Sequence, residues 1–123
     1  MKSLIHLGVR GEMLAQNFLR KRGYAILEKN FRTRFGEIDL VARKDGAVVF
    51  VEVKTRRNSY FGLPEEAVDW KKRRKLALTA QAFLQSQGLE NSPARFDVLS
   101  ILWDGESEPR FSLLEDAFTL EER

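Results

Sequence analysis

The stretch Phe35-Gly-Glu-Ile-Asp-Leu-Val-Ala-Arg-Lys-Asp-Gly-Ala-Val-Val-Phe-Val-Glu-Val-Lys-Thr-Arg56 organises this chain. Its Asp45-Gly46 pair is a strong signal for a two-residue type I′ turn, because both residues tolerate a positive φ. Apolar, β-branched sequence lies on both sides of the turn. The pattern therefore predicts a β-hairpin, with strands near residues 37–43 and 47–55.

The turn also predicts the register of the two strands. Counting outward from it pairs Lys44 with Ala47, Val41 with Phe50, Asp39 with Glu52, and Glu37 with Lys54. Side chains alternate along a strand, so these pairs share one face, apolar near the turn and charged at the far end. The opposite face is expected to be wholly apolar and to pack against a helix. Its members are Ile38, Leu40, Ala42, Val49, Val51 and Val53.

The charged end of this hairpin predicts a metal site. Directly opposed residues have Cβ atoms about 5 Å apart, so Asp39 and Glu52 would reach a single ion. Two carboxylates at that distance repel each other unless a cation lies between them. Lys54 would lie about 7 Å further along its strand, beside the ion. An isolated Glu-x-Lys is frequent on ordinary surface strands, but the apolar flanks favour a central strand, and a lysine beside a metal indicates phosphodiester chemistry.

Composition limits the alternatives. The chain has 123 residues, which suits a single domain over residues 1–123, and its 43% hydrophobic content is enough for a core. It contains no cysteine and one histidine, which excludes disulfides, thiol catalysis and the usual zinc sites. No stretch has the length of a membrane helix, and the N-terminus does not resemble a signal peptide. We therefore expect a cytoplasmic protein without a membrane partner.

The remaining sequence predicts helices and strands around the hairpin. Apolar residues at helical spacing predict a first helix over about residues 4–22, ended by Gly23. Pro64, Glu65 and Glu66 predict the start of a second helix that runs to about Gln87. Three further strands are expected at about residues 24–27, 96–103 and 110–114. The order α-β-β-β-α-β-β indicates an α/β or α+β fold with one central mixed sheet flanked by helices.

Basic residues gather around the hairpin, although the net charge is only +3. Such residues suit sequence-independent contacts with phosphates, and the alternative for each of them is an ordinary solvated position. The expected contacts are Arg32, Arg34, Arg56, Arg57, Lys71, Lys72, Arg73, Arg74 and Lys75. Trp70 and Phe61 could stack on bases, but packing in the core is favoured for both. Asp97 is expected to be structural, as a salt-bridge partner.

These motifs resemble a known superfamily. A glutamate on the first helix, an acid on one strand and Glu-x-Lys on the next are similar to the PD-(D/E)xK nucleases, which have the restriction-endonuclease-like fold. The closer resemblance is to the YraN-like family of uncharacterised bacterial predicted endonucleases. It rests on Gly11-Glu12, Gly23-Tyr24, Asn30-Phe31-Arg32, Gly36-Glu-Ile-Asp-Leu40, Val51-Glu-Val-Lys-Thr-Arg56, Lys72 with Leu76 and Ala80, and Arg95-Phe-Asp97. The proline of the superfamily name is absent, since Ile38 precedes Asp39.

The resemblance implies roles for particular residues. Asp39 and Glu52 would bind the metal together with the backbone carbonyl of Val53, and Lys54 would be the catalytic lysine. Glu12 would complete the site, either as a further ligand or through a water, whereas its alternative is an ordinary surface glutamate. Glu37 could be an outer ligand or could pair with Lys54 or with a basic neighbour, and we favour a supporting role for it. The expected ion is Mg²⁺, for which Mn²⁺ could substitute.

The resulting expectation is a metal-dependent nuclease that hydrolyses phosphodiester bonds, with DNA as the expected substrate. Distant relatives include Holliday-junction resolvases, so branched or junction DNA is an expectation by analogy. Those resolvases act as dimers, and a domain with one site needs two copies to cut two strands together, which leaves a homodimer open. The alternatives are a non-catalytic nucleic-acid-binding module and a protein-interaction subunit that uses the acidic C-terminal end.

Overall fold

The computed structural model describes residues 4–57 and 69–118, with side chains from Arg10 onward. The described residues form two helices and five strands. In chain order these are α1 (Leu4–Lys21), β1 (Ala25–Thr33), β2 (Gly36–Lys44), β3 (Ala47–Arg56), α2 (Trp70–Ser86), β4 (Ala94–Leu102) and β5 (Arg110–Phe118). The predicted order α-β-β-β-α-β-β is confirmed, and the fold is mixed α+β as expected.

The five strands form one mixed sheet in the order β1-β2-β3-β4-β5. Neighbouring strands are antiparallel except β3 and β4, which are parallel. Parallel neighbours require a crossover connection, and here that connection contains α2. The strand that carries Glu52 and Lys54 is therefore the central strand of the sheet, as its apolar flanks predicted.

The hairpin turn is the predicted one. Asp45 has a φ of 51° and Gly46 a φ of 81°, as a type I′ turn requires. The pairs Lys44–Ala47 and Val41–Phe50 are also confirmed. The β2–β3 pairing ends at Leu40–Val51, however, so the predicted backbone pairs of Asp39 with Glu52 and of Glu37 with Lys54 are not formed.

The helices cover opposite faces of the sheet. On one face Ala15 and Leu19 of α1 pack with Leu40, Val49 and Leu99. On the other face α2 packs on the following buried residues: Ile38, Val41, Val48, Phe50, Phe96 and Val98. The apolar face of the hairpin thus meets a helix as predicted, with one correction. Ile38 packs under α2 instead of with Leu40, because β2 no longer follows β3 beyond Leu40.

Both edge strands are longer than predicted. β1 runs to Thr33 instead of Leu27, and β5 runs to Phe118 instead of Leu114. Each strand contains a register shift, and each contains a residue with positive φ, Asn30 in β1 and Asp116 in β5. Such irregularities break the alternation of polar and apolar residues, which is the signal that locates a strand in a sequence.

The start of α2 differs in detail from the prediction. The described helix begins at Trp70, and Asp69 caps it by accepting a hydrogen bond from the backbone N–H of Lys72 at 2.9 Å. The predicted start at Pro64, with Glu65 and Glu66, lies outside the described residues. The predicted end near Gln87 is confirmed, since Gln87 is the C-cap. Within residues 4–57 and 69–118, neither helix has the length and apolar character needed to span a membrane.

Candidate functional site: a carboxylate and lysine cluster on the central strand

The site begins where β2 separates from β3. At this point Asp39 turns its carboxylate toward β3, and its Oδ2 accepts a hydrogen bond from the backbone N–H of Val53 at 2.7 Å. The side chain therefore takes the place of a backbone acceptor just beyond the last ladder pair, Leu40–Val51. This contact holds Asp39 against the Glu52-Val53-Lys54 segment, although the two strands no longer pair there.

The Asp39 and Glu52 carboxyl groups lie within hydrogen-bonding distance of each other. Burial, the contact with Glu52 and the negative charge of Glu52 raise the pKa of Asp39 from 3.8 to about 7. The backbone N–H of Val53 and the charge of Lys54 oppose this rise. Two negative charges at this position are therefore disfavoured near neutral pH unless a cation joins them.

Glu52 is the second acid of the site. Its side chain is only 10% exposed. Among the described residues no group hydrogen-bonds to the buried Glu52 Oε2, which is unusual for a buried polar atom. The Nζ of Lys72, on the first turn of α2, lies 3.4 Å from this oxygen and forms an ion pair with it. The predicted acid of β3 is thus brought together with a lysine of the helix above it.

Two lysines adjoin each other at the site. Burial and the contact with Lys72 lower the pKa of Lys54. Burial also opposes the charge of Lys72, but the contact with Lys54 and the negative charge of Glu52 outweigh it, so the pKa of Lys72 is raised. The ammonium of Lys72 therefore holds its proton more firmly than the amine of Lys54. We call Asp39, Glu52, Lys54 and Lys72 the central cluster.

Glu12 and Glu37 form a separate pair of acids. Asn30, oriented with its amide nitrogen toward them, donates to Glu12 Oε1 at 3.0 Å and to Glu37 Oε1 at 3.2 Å. Arg32 also pairs with Glu37 Oε2 at 2.9 Å. In the described parts of the chain, no group of three His, Cys, Asp or Glu residues lies close enough together to hold one metal ion. The structure thus brings Asp39 and Glu52 together, but it does not place Glu12 and Glu37 with them.

Gly11 allows α1, which carries Glu12, to approach the end of β3 closely. A Cβ atom on Gly11 would overlap the Oγ1 of Thr55 on β3, so only glycine permits this close approach of α1 to the end of the strand. Glu12 follows directly and is half-buried, as expected for the rim of the apolar stripe of the helix. The close contact of Gly11 with the Thr55 side chain therefore determines where the helix acid lies.

The basic residues occupy several surroundings. Arg32, with a 74% exposed side chain, pairs with Glu37, and Arg34 lies over the Phe35 ring. Lys71, Arg74 and Lys75 are exposed on α2, whereas Arg73 is half-buried over the Phe118 ring. Arg56 is half-buried at the end of β3, and Arg57 follows it at the surface. Lys72 alone of the predicted phosphate-binding residues on α2 belongs to the central cluster.

Trp70 is exposed, whereas Asp97 forms a structural ion pair. Trp70 is 66% exposed, so the favoured prediction that it packs in the core is wrong. It lies at the start of α2, where the apolar stripe of the helix has not begun. The prediction that Asp97 is structural is confirmed by its ion pair with Arg95 at 3.0 Å. Phe61 lies outside the described residues.

Two features of the site were missed from the sequence. Asn30 has a φ of 54°, and its amide joins Glu12 to Glu37. An asparagine within an irregular strand was the available signal, because asparagine tolerates positive φ better than most residues. The contact of Lys72 with Glu52 was the second, and no local signal indicated it. It depends on how α2 crosses β3.

The fold is the mixed α+β arrangement expected for the restriction-endonuclease-like class, and the central cluster brings acids and lysines from β2, β3 and α2 together beside the central strand. The chain belongs to the uncharacterised protein family UPF0102, whose model matches residues 11–101, and which is the YraN family that its motifs resemble.

Relatives match over most of their length. A UPF0102 protein of Syntrophomonas wolfei is 53% identical over 103 residues, which cover 83% of this chain and 90% of the relative. One of Trichlorobacter lovleyi is 44% identical over 115 residues, covering 93% of this chain and 91% of the relative. One of Syntrophus aciditrophicus is 42% identical over 120 residues, covering 98% and 94%.

Proposed function

We propose that this chain is a metal-dependent nuclease that hydrolyses phosphodiester bonds in DNA. The observation that carries the proposal is the meeting of Asp39 and Glu52 in a largely buried place, where no described group hydrogen-bonds to Glu52 Oε2 and burial together with Glu52 raises the pKa of Asp39. Asp39 accepts a hydrogen bond from Val53, and Glu52 forms an ion pair with Lys72, but two adjoining buried carboxylates still repel each other when both are ionised. A divalent cation bound by both would remove that repulsion.

The donor set fits Mg²⁺, or Mn²⁺ in its place. Magnesium is commonly held by one or two carboxylates together with waters and substrate oxygens. Asp39 and Glu52 would hold the ion, with the Val53 carbonyl as the further ligand that the resemblance implies. Such an ion, when bound, activates water and neutralises the charge that develops on a phosphate.

The lysines would divide two tasks. The lowered pKa of Lys54 favours its amine as the group that holds the attacking water and accepts its proton. The water oxygen then forms the new bond to phosphorus while the bond to the leaving oxygen breaks, and that oxygen takes up a proton. Lys72, whose pKa is raised, would keep its proton. Glu12 on α1 and Glu37 on β2, joined by Asn30 of β1, would have a supporting role beside the central cluster.

Substrate would be held mainly by its phosphates. The exposed cations of α2, namely Lys71, Arg74 and Lys75, lie on the helix that carries Lys72, and the exposed Trp70 adjoins them. Arg56 and Arg57 continue directly from the strand that carries Lys54. Charges of this kind contribute affinity without base specificity, and their contribution falls with salt. The exposed Trp70 ring could stack on an unpaired base.

Cleavage assays on purified protein test the proposal. Branched, flapped and single-stranded DNA are incubated with Mg²⁺, Mn²⁺ or EDTA, using wild type, Asp39→Asn and Asp45→Asn. The wild type is expected to cleave at least one substrate in a metal-dependent way, and Asp39→Asn to lose about 10³-fold or more in rate. Asp45→Asn makes the same chemical change in the exposed turn, where asparagine keeps the positive φ, and should retain full activity.

The same assay separates the enzyme from a binding module. If the wild type cleaves none of these substrates with either ion, while wild type and Asp39→Asn bind DNA equally, the nuclease proposal fails. A non-catalytic nucleic-acid-binding module would then be the better account. Metal-dependent cleavage that Asp39→Asn leaves intact would instead move the active site away from the central cluster.

A further inference from the structure

The position of Lys72 is unusual for a residue that only binds phosphate. Its Nζ lies 3.4 Å from Glu52 Oε2, the buried oxygen to which no described group hydrogen-bonds. Its side chain is 36% exposed, about half the 74% exposure of the Arg32 side chain. The ammonium is thus turned inward to the acid instead of outward to solvent.

The start of α2 holds Lys72 at this place. Asp69 accepts the backbone N–H of Lys72, and it also caps the helix through the carbonyl that receives the N–H of Arg73 at 2.8 Å. Four residues beyond Lys72, Leu76 is buried in the core under the same helix. The cap on one side and the core on the other determine the direction in which the Lys72 side chain leaves the helix.

The site needs a cation whether or not a metal ion is present. Asp39 and Glu52 lie within hydrogen-bonding distance of each other, and Glu52 is largely shielded from water. A largely buried carboxylate beside a second one is costly unless a positive charge is near. The Lys72 ammonium stands at the oxygen that a divalent ion would also require.

We propose that Lys72 is a positioning residue that serves as the counter-cation of Glu52 in the metal-free protein and competes with the divalent ion for Glu52 Oε2. The inference rests on the proposed function, because it concerns the same metal site. The exchange of one cation for another keeps the two acids neutralised at every stage. Lys72 thereby lowers the affinity of the site for the metal ion while stabilising the fold without it.

Calorimetric titration of metal-free protein with Mn²⁺ tests this competition. Wild type, Lys72→Met and Lys71→Met are compared, because both variants lose one positive charge from the first turn of α2. Lys71 is exposed, with its ammonium over the Trp70 ring. Lys72→Met is expected to bind Mn²⁺ about fivefold to tenfold more tightly, as suits the loss of one close cation near the surface. Lys71→Met should stay within about twofold of wild type.

The outcomes distinguish this inference from the proposed function. Equal or weaker Mn²⁺ affinity in Lys72→Met overturns the role of Lys72, but it leaves the nuclease proposal standing if wild type still cleaves DNA. Absence of binding in all three proteins overturns both. Tighter binding in both variants alike also overturns the inference, since net charge alone would then explain it.

Thermal unfolding gives a readout that does not depend on affinity. In EDTA, Lys72→Met should unfold at a lower temperature than Lys71→Met, because Glu52 loses its counter-charge. Saturating Mn²⁺ should then raise the unfolding temperature of Lys72→Met by more than that of the other two proteins. Equal metal-induced shifts in all three would contradict the proposal.

A measurement on the wild type covers the case in which Lys72→Met does not fold. Lysine ¹³Cε signals are followed by NMR during titration with Mg²⁺, and the Lys72 signal is assigned as the one lost in Lys72→Arg. It should shift with the same half-saturation as ion binding, while the Lys71 signal stays in place. A Lys72 signal that is unchanged at saturating Mg²⁺ would overturn the inference.

Discussion

Asp39 combines a structural contact with a poorly tolerated charge. Its Oδ2 accepts the Val53 N–H, which fastens β2 to β3 where their ladder has ended. Burial and Glu52 nevertheless raise its pKa to about 7. The ionised form of Asp39 is therefore disfavoured in the folded protein, and a bound cation would stabilise it. An asparagine could accept the same hydrogen bond without carrying the charge.

The raised pKa of Asp39 makes the stability of the protein depend on pH. The Asp39 pKa is raised from 3.8 to about 7, so between these values the unfolded chain loses a proton that the folded protein keeps. The free energy of unfolding in EDTA should therefore fall as pH rises from about 4 to about 7. Asp39→Asn removes this contribution. Its urea-unfolding profile should be flatter across that window, and at pH 8 it should be at least as stable as wild type.

Comparing the pH profiles of stability of wild type and Asp39→Asn tests whether the pKa of Asp39 is raised in the folded protein. Titrating groups far from the central cluster contribute equally to both proteins, so the difference between the profiles isolates Asp39 together with the groups that it interacts with, Glu52, Lys54 and Lys72. Saturating Mg²⁺ should reduce the difference, because a bound ion stabilises the ionised carboxylates. Parallel profiles for wild type and Asp39→Asn would show that the Asp39 pKa is not raised in the folded protein.

At the scale of the elements, the site depends on how closely α1 approaches β3. Gly11 lies against the Thr55 side chain, and its missing Cβ sets the distance between helix and strand. Ala15 and Leu19 then fill the interface in the buried cluster beneath α1. The helix acid Glu12 adjoins this contact, so a change in helix position would move it relative to the hairpin.

Gly11→Ala should therefore destabilise the protein, although alanine is the better helix former. The added Cβ would meet Thr55 Oγ1, and such overpacking costs about 1–3 kcal/mol. Urea unfolding measures the loss. The double variant Gly11→Ala with Thr55→Ala should recover at least half of it, because the obstructing hydroxyl is gone. A Gly11→Ala variant as stable as wild type, or a double variant with additive losses, would refute the close contact.

At the scale of the whole molecule, a buried polar network around Asp97 connects strands that are far apart in the sheet. Asp97 on β4 is fully buried and accepts hydrogen bonds from Tyr24 at 2.7 Å, from Arg95 at 3.0 Å and from the backbone of Asp116 at 2.9 Å. Glu115 also contacts Tyr24. Burial and Asp97 raise the pKa of Tyr24, which therefore stays a neutral donor. The network ties the start of β1 to the end of β5 across the central strands.

Removal of Asp97 should be one of the most destabilising single changes in the described part of the protein. Asp97→Ala leaves the Arg95 charge and the Tyr24 hydroxyl without their shared partner, and breaking such a buried pair costs about 3–5 kcal/mol. Tyr24→Phe removes one donor and should cost about 1–2 kcal/mol. Urea unfolding of both variants checks the order. A loss below 1 kcal/mol for Asp97→Ala would mean that the network contributes little to the stability of the sheet.

Much of this architecture could be predicted from local patterns. The type I′ turn, the register near it and the order of the elements depend on residues close together in the chain, and each was confirmed. The lengths of β1 and β5 were missed because bulges and positive φ values interrupt the alternation there. Trp70 was misassigned because its exposure depends on where α2 begins.

The sequence by itself determined which acids and lysines lie on the central hairpin, since strand alternation and a two-residue turn leave little freedom in register. Only the tertiary structure decided which of them meet. The ladder ends before Asp39, so a side-chain hydrogen bond to Val53 sets its contact with β3. Asn30 draws Glu12 and Glu37 together, and α2 brings Lys72 to Glu52. These contacts join residues on different elements, and their geometry follows from packing across the sheet, which no local pattern records.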